Sequence, residues 1–209
     1  MKQILFIHGG YSFRSQAAYL ADLKARQMDY TRLLPKQRWT NTLATEFPEA
    51  DILLPTMPNS ANAQFDEWAI WFEKILPFFD SSAQIIDHSL GAMFLAKYLH
   101  QKPLAQPVAQ LHLVAGGYDD PSQDYSSFKV DSATGLEKSA RQIFLYHSED
   151  DPVVPYSELA KFEKDLPTAT VCRFSARNHF LDPEFPNKPA KYLLPHNSFF
   201  ASLYSCFLS

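Results

Sequence analysis

Short, continuous runs of apolar residues are the clearest pattern along this chain. They predict six strands, over residues 4–8, 51–54, 84–88, 110–115, 142–147 and 170–174. Most of these runs are apolar throughout, which is typical of parallel strands covered on both faces. Segments long enough for a helix separate them, as parallel connections require. The pattern therefore predicts a doubly wound α/β fold, with a mainly parallel sheet of about six strands and helices on both faces.

Helical spacing is clearest in two segments. In the first, apolar residues three and four positions apart share one face, and Pro77 should end the helix: Phe65, Trp68, Ala69, Phe72, Ile75 and Leu76. A second stripe lies near the C-terminus: Phe199, Phe200, Leu203, Tyr204 and Phe207. Because the polar face of this stripe lacks Lys and Arg, we expect it to dock on the sheet and not on a membrane surface.

Two other stretches are less regular. Residues 15–34 look helical throughout and Pro35 follows them, so a long helix is expected before a second one near Trp39. Residues 118–139 are polar and rich in turn residues, which predicts a loop with a short helix at its end. The length favours a single domain over residues 1–209, with residues 11–38 interpreted as a small lid-like insertion.

Composition and charge narrow the functional classes. Apolar residues make up 46% of the 209 residues and charged residues 20%, as in globular proteins. The formal net charge is −4 and Lys and Arg are scattered, so no nucleic-acid partner is expected. No apolar run reaches the roughly 18 residues of a membrane-spanning helix, and the first strand leaves no room for a signal peptide. We therefore expect a cytoplasmic protein without a membrane partner.

Reactive side chains recur where the predicted strands end. In doubly wound sheets the binding site forms beyond the carboxyl ends of the strands. Such side chains follow five of the six predicted strands: His8-Gly9-Gly10, Ser89, Asp119-Asp120, Asp150-Asp151 and His179. This shared placement predicts one active site at that edge of the sheet.

Ser89 lies in a strand–turn–helix pattern. A serine on such a turn is exposed at the N-terminus of the next helix, where N–H groups and the helix dipole stabilise a developing oxyanion. The usual pattern has glycine two residues before and two residues after the serine. Gly91 fits the second position, whereas Asp87 occupies the first. Taken alone, this half-matched pattern fits a nucleophile and a helix-capping serine equally well.

The residues that a serine nucleophile needs are present downstream. The serine requires a base, and the base requires a carboxylate that orients it. Asp150 and Asp151 follow the fifth strand in a turn that Pro152 stiffens, and His179 follows the sixth. This order of Ser, Asp and His along the chain is that of α/β-hydrolases. Asp151, directly before the proline, is the preferred acid, and Asp150 is the alternative.

An oxyanion hole needs two N–H donors. One should be the amide of Leu90, the residue after the nucleophile. The other should come from the loop after the first strand, where glycines allow close approach. Gly10 is the preferred donor and Tyr11 the next choice, while His8 is expected to play a structural role at the strand end.

With these residues in place, the chain resembles the serine hydrolase family of retinoblastoma-binding-protein-9 and YdeN-type proteins, a compact branch of the α/β-hydrolases. The similarity covers most of the chain and includes these residues: His8-Gly9, Trp39, Leu54-Pro55-Thr56-Met57-Pro58, Trp68, His88-Ser89-Leu90-Gly91, Asp150-Asp151-Pro152 and Asn178-His179-Phe180. The Pro-x-Met-Pro segment with its later tryptophan is fairly specific to this branch. The resemblance implies a triad of Ser89, Asp151 and His179 that hydrolyses carboxylic esters. The chain departs from the family pattern in three places. Asp87 replaces a small residue before the nucleophile, Asn178 stands where glycine often precedes the histidine, and segment 11–38 is longer than usual.

Three functional classes are weighed. The first is a serine hydrolase without metal or cofactor that cleaves a small or medium acyl ester or thioester through an acyl-enzyme on Ser89. The second is a protein-interaction module on a retained hydrolase fold, with weak or no activity; its signature would be a missing triad residue, and none is missing. The third is a metallohydrolase using His88, His147 and His179, but no local ligand spacing such as H-x-x-E-H supports it. The serine hydrolase is therefore preferred.

Overall fold

Six parallel strands form one sheet in this protein, whose computed structural model describes residues 2–35, 40 and 43–181. The strands are β1 Lys2–Ile7, β2 Ala50–Leu53, β3 Gln84–His88, β4 Val108–Val114, β5 Ala140–Ser148 and β6 Thr170–Phe174. They lie in the order β2-β1-β3-β4-β5-β6, and every neighbouring pair is parallel. All six predicted strands are confirmed, with ends shifted by no more than about two residues, as is usual for sequence-based boundaries.

Five α-helices occur within the described residues. They are α1 Gln16–Ala25, α2 Leu43–Glu46, α3 Phe65–Ile75, α4 Leu90–Gln101 and α5 Glu158–Asp165. Helix α3 is the helix predicted from apolar spacing, and Pro77 lies in the single 3₁₀ turn that ends it. The second apolar stripe, residues 199–207, and Trp39 lie outside the described residues.

The two faces of the sheet carry different helices because successive strand residues point to opposite sides. One face packs against α3, α4 and α5 and includes Leu5, Ile85 and Leu113. The other includes Phe6 and Phe144, with Leu43 of α2 packed on them. Strand β3, at the centre of this arrangement, is buried over its whole length. The doubly wound fold is thereby confirmed, and β3 is the strand that ends directly before Ser89.

The prediction of one long helix over residues 15–34 is wrong, because this stretch forms a helix and a separate 3₁₀ turn. Helix α1 starts as predicted, with the Ser15 hydroxyl accepting the Ala18 N–H at 3.1 Å, but it ends at Ala25. Asp29 then accepts the N–H of Thr31 at 2.8 Å and begins a separate 3₁₀ turn, Tyr30–Leu33. Such side-chain bonds offer the backbone an alternative to the helix. No residue of α1 is buried, so packing does not hold a longer helix together.

Residues 118–139 form the predicted loop, with 3₁₀ turns at Ser126–Phe128 and Leu136–Lys138. Although the loop is rich in polar residues, some of its apolar side chains are buried in the core. Phe128 is fully buried, and its ring lies 5.1 Å from that of Trp68. At its start, the buried Glu158 carboxylate accepts the N–H groups of residues 118, 119 and 120 at 2.6–3.1 Å. The loop is thus fixed to α5 at one end and to the core in its middle.

None of the helices described is long and apolar enough to cross a bilayer.

Candidate active site

Ser89 occupies a strained turn between β3 and α4. Its φ of 58° and ψ of −118° lie outside the conformations that residues with a side chain normally adopt. The turn is held because the Ser89 N–H donates to the Val114 carbonyl at 2.8 Å. Gly91 is required here, since a Cβ at this position would lie 2.6 Å from the Ile7 carbonyl oxygen. The absent side chain lets α4 approach β1 closely.

Ser89, His179 and Asp151 form a continuous hydrogen-bonded chain. His179 Nε2 lies 2.9 Å from Ser89 Oγ. His179 Nδ1 lies 2.8 Å from Asp151 Oδ2 and 3.0 Å from Oδ1. A carboxylate can only accept, so Nδ1 carries the hydrogen and Nε2 is left to accept the serine proton. The side chains of His179 and Asp151 are only 6% and 0% exposed, which keeps water from competing for these bonds.

The turn around Asp151 fixes this carboxylate. Asp151 Oδ1 also accepts the N–H groups of Val153 at 2.8 Å and Val154 at 3.0 Å. Burial tends to raise the pKa of Asp151, but the bond and charge of His179 and the two N–H groups outweigh it and hold the pKa below its usual range. His147, whose pKa burial lowers, donates to the Val154 carbonyl at 3.1 Å and supports the same turn. The acid is therefore ionised and preoriented.

Asp150, the alternative acid, does not contact the ring of His179. Its Oδ1 accepts the Ser148 hydroxyl at 2.5 Å, the Arg177 N–H at 3.1 Å and the Asn178 N–H at 2.9 Å. These bonds lower the pKa of Asp150, the Ser148 hydroxyl most strongly. Asp150 therefore holds the backbone that precedes the histidine, whereas Asp151 binds the imidazole itself.

Asn178 explains one departure from the family pattern. Its φ of 46° lies in the left-handed region, which glycine enters freely and asparagine more readily than most residues. A glycine or an asparagine can therefore precede the histidine without changing the loop. Asn178 therefore fits the backbone conformation of the histidine loop.

His88 contributes a contact that the sequence analysis did not assign to it. Its Nε2–H donates to the carbonyl oxygen of His179 at 2.8 Å, and the two rings lie 4.8 Å apart. No sequence pattern marks this contact, because its partner is a backbone carbonyl far along the chain. Asp119 and Asp120, also at a strand end, lie elsewhere: Asp119 pairs with Lys161, and Asp120 accepts the Ser122 N–H at 2.8 Å.

The two residues predicted as oxyanion donors, Leu90 and Gly10, lie on neighbouring segments, since a Cβ on Gly10 would lie 3.4 Å from Leu90 Cδ2. Leu90 is the first residue of α4, so its N–H has no acceptor within the helix. A Cβ on Gly10 would lie 2.6 Å from the Ser60 carbonyl oxygen, so only glycine fits. The Tyr11 N–H, the next choice, already donates to that same carbonyl at 2.8 Å. Tyr11 is thereby a poorer donor than Gly10.

His8, Met57, Pro58 and Trp68 form a brace beside the first loop. His8 Nδ1–H donates to the Gly9 carbonyl at 2.7 Å, and His8 Nε2 accepts the Met57 N–H at 2.9 Å. Trp68 Nε1–H donates to the Pro58 carbonyl at 2.8 Å, and its ring meets that of His8 edge-on. The brace gives the Pro-x-Met-Pro segment and its tryptophan a physical role: it joins the ends of β1 and β2 through α3.

Asp87 is the unusual residue of the turn. Its side chain is fully buried between β1 and β4, where its strand neighbours are Ile7 and Leu113. Neither carboxyl oxygen has a hydrogen-bond partner, and burial raises the pKa well above its usual range. Burial without a hydrogen-bond partner thus favours the neutral form of the Asp87 carboxyl.

No group of three or more His, Cys, Asp or Glu side chains suited to a metal ion occurs in residues 2–35, 40 and 43–181.

The fold and this site together define an α/β-hydrolase. A family model described as serine hydrolase matches residues 33–184, and the chain belongs to that family. It is a serine hydrolase by this membership.

Several solved structures resemble this protein over more of the chain than the family model matches. The ydeN gene product from B. subtilis aligns with a TM-score of 0.70 and 18% identity, covering 100% of this chain and 99% of that one. Est1E from Butyrivibrio proteoclasticus aligns with a TM-score of 0.60 and 13% identity, covering 99% and 86%. A thioesterase domain from the curacin biosynthetic pathway gives a TM-score of 0.58 and 12% identity, covering 100% and 91%. At these identities the likeness shows a shared fold. The curated proteins provide no match.

A first prediction concerns Asp87 and pH. In the folded protein its pKa is raised, while in the unfolded chain it is about 3.9. Between these values the folded state retains a proton that the unfolded state releases. The Asp87 contribution to the free energy of unfolding is therefore fully present below about pH 4, and it falls by up to about 1.4 kcal/mol per pH unit as the pH rises. Asp87→Asn, which does not titrate, should remove this slope. Urea unfolding of both proteins between about pH 4 and pH 8 measures it.

The control is the difference between the two unfolding free energies, because other titrating groups cancel in it. A difference that stays constant over this pH range would show that Asp87 is ionised in the folded protein.

Proposed function

We propose that this protein hydrolyses a small or medium carboxylic ester or thioester through an acyl-enzyme on Ser89. The observation that carries the proposal is the 2.9 Å contact between His179 Nε2 and Ser89 Oγ, with Asp151 bound to the opposite ring nitrogen. This is the order of contacts that turns a serine hydroxyl into a nucleophile. Asp151 is the orienting acid in this scheme, and Asp150 is not.

The first half of the reaction forms the acyl-enzyme. Ser89 Oγ attacks the carbonyl carbon while His179 Nε2 takes its proton, and the carbonyl oxygen becomes an oxyanion. The N–H groups of Leu90 and Gly10 bind that oxyanion, and losing one such donor typically costs about 100-fold to 1,000-fold in rate. The tetrahedral intermediate collapses when His179 returns the proton to the departing alcohol or thiol oxygen or sulfur.

The second half regenerates the enzyme. Water gives a proton to His179 and attacks the acyl carbon, and the same N–H groups hold the second oxyanion. Collapse of this intermediate releases the carboxylic acid and returns the proton to Ser89 Oγ. The imidazolium that forms in each half lies against the ionised Asp151, whose lowered pKa keeps it from taking the proton itself.

Thioesters are included because the chemistry allows them and because one of the structural neighbours is a thioesterase domain. Both substrate classes offer a carbonyl to Ser89, and they differ only in the leaving atom. No described residue beside Ser89 requires one leaving atom over the other.

The nucleophile is tested by covalent labelling. A fluorophosphonate probe should label the wild-type protein, and Ser89→Ala should abolish labelling together with ester hydrolysis. Ser148→Ala is the control for a serine elsewhere at the same sheet edge and should leave the labelling at Ser89 detectable. Intact mass spectrometry of the labelled proteins measures the outcome.

Two results would contradict the proposal. A folded wild-type protein that is not labelled would favour an interaction module on a hydrolase fold. Labelling that survives Ser89→Ala would move the nucleophile to another residue.

The acid is tested by comparing two adjacent substitutions. Asp151→Asn removes the charge that orients His179 and should lower kcat by roughly 10⁴-fold, as loss of the orienting acid does in other triads. Asp150→Asn keeps an oxygen acceptor for the Arg177 and Asn178 amides, so its effect on kcat should stay within roughly tenfold. Steady-state kinetics on one chromogenic ester measures both. Equal losses would mean that the carboxylates act as one unit.

Residues 11–38 are proposed to act as a small lid; residues 36–38 lie outside the described part. Helix α1 buries no residue and leaves Leu20 and Leu23 exposed by 45% and 43%. The segment is anchored beside the first loop, where the Ser12 hydroxyl donates to the Ala63 carbonyl at 3.0 Å. In this proposal the exposed Leu20 and Leu23 side chains contact the part of a substrate that extends out of the site.

Replacing Leu20 and Leu23 together by serine tests the lid. The kcat/KM for a long-chain ester should fall by about tenfold, because each lost apolar contact contributes roughly a threefold factor or more. The value for an acetate ester should not change, and Ile70→Ser on the exposed side of α3 is the control. If the ratio of long to short esters is the same in all three proteins, the segment is not a lid.

A further inference from the structure

A cavity of about 210 Å³ lies beside Ser89 and is not used by the mechanism above. The described residues that line it are Phe6, His8, Gly9, Thr40, Leu54, Pro55, Thr56, His88 and Leu181. They come from the ends of β1 and β3, from Thr40, from the segment after β2 and from the end of the histidine loop. Five separate parts of the chain thus meet around one space.

The cavity and the nucleophile share a wall. A Cβ on Gly9 would lie 3.0 Å from Ser89 Cβ and 3.4 Å from Ser89 Oγ, so the Gly9 backbone lies directly against the serine. His88 immediately precedes the serine and also lines the cavity. A group attached to an acyl carbon on Ser89 therefore starts at the edge of this space.

The polar atoms at the cavity are largely occupied by the protein. Both ring nitrogens of His8 are used, one by the Gly9 carbonyl and one by the Met57 N–H. His88 Nε2–H is committed to the His179 carbonyl. No lining residue described carries an Asp, Glu, Lys or Arg side chain. Because a buried charge is strongly unfavourable without a partner, the cavity favours an uncharged group.

The volume of the cavity also limits the size of the substrate group that can bind in it. Liquid water occupies about 30 Å³ per molecule, so a space of about 210 Å³ holds on the order of seven groups of that size. Phe6, Leu54, Pro55 and Leu181 provide apolar contact, and the two threonines are the side chains that offer hydroxyls. These properties fit a short apolar chain better than a sugar phosphate or an amino-acid zwitterion, for which no described lining residue offers a charged partner.

We propose that this cavity is the acyl subsite and that the enzyme prefers uncharged acyl groups of about four to seven carbons, a size that follows from the volume per group above. The proposal rests on the proposed function, since it needs Ser89 as the acylated residue. The acyl group remains bound through both halves of the reaction, whereas the alcohol must leave before water enters. A space walled on several sides suits the group that stays.

The test uses two series of esters with wild type, Thr56→Trp and Thr170→Trp. One series varies the acyl chain on a fixed 4-nitrophenol, from acetate through hexanoate to decanoate. The other varies the alcohol on a fixed acetyl group. Thr56 is an exposed residue at the cavity, and Thr170 is an exposed residue on β6, at the opposite edge of the sheet, so the same substitution serves as a matched control.

We expect kcat/KM of the wild type to rise by about threefold per methylene as far as hexanoate, where the cavity is filled, and by less per methylene beyond it. Thr56→Trp should lower the hexanoate value by about tenfold and leave acetate within about twofold, since a bulky ring takes up the space for the chain. Thr170→Trp should match the wild type in both series.

Two outcomes would overturn the assignment. An alcohol series that shifts while the acyl series does not would make the cavity the leaving-group site. Equal behaviour of Thr56→Trp and Thr170→Trp in both series would mean that the cavity binds neither end of the substrate. Fluorophosphonate labelling of all three proteins separates these results from failure of the proposed function: unlabelled wild type contradicts the hydrolase, whereas labelled variants without a chain-length shift contradict only the subsite.

Discussion

The close approach of helix α4 to strand β1 is the constraint on which the rest of the site depends. Gly91 permits it, because a Cβ there would collide with the Ile7 carbonyl. The approach brings the N-terminus of α4 next to the loop after β1, where a Cβ on Gly10 would lie 3.4 Å from the Leu90 side chain. At the start of the same helix Ser89 has a positive φ, a strained conformation that the bond of its N–H to the Val114 carbonyl helps to hold.

The histidine is located by three residues at two strand ends, Asp150 and Asp151 after β5 and His88 at the end of β3. Asp151 binds its ring, His88 binds its carbonyl, and Asp150 binds the two amides before it. A loop after the edge strand β6 would otherwise be free to move relative to Ser89. Fixing the backbone as well as the ring reduces the entropy that must be lost when the reacting groups align.

The parts of this protein that the sequence predicts are those where one physical effect dominates. Parallel strands covered on both faces are mostly apolar, so all six could be located, and reactive residues at their ends could be grouped. Helix α1 could not be bounded, because its end depends on a local bond of Asp29 that competes with helix formation. The different bonds of Asp150 and Asp151 also lay beyond the sequence, since adjacent side chains in a turn diverge according to backbone angles. His88 was missed because its partner is a backbone carbonyl about ninety residues away, and no side-chain pattern marks such a contact.

The brace of His8, Met57, Pro58 and Trp68 has a consequence for how relatives of this chain can be recognised. Its bonds shape the loop beside the serine, yet none of its four residues needs Ser89 to keep its place. A chain could therefore carry the whole brace and lack the nucleophile, and it would still be identified by these residues as a member of the family. The brace is a marker of architecture, and the chemistry has to be inferred separately, from the serine turn and the histidine loop.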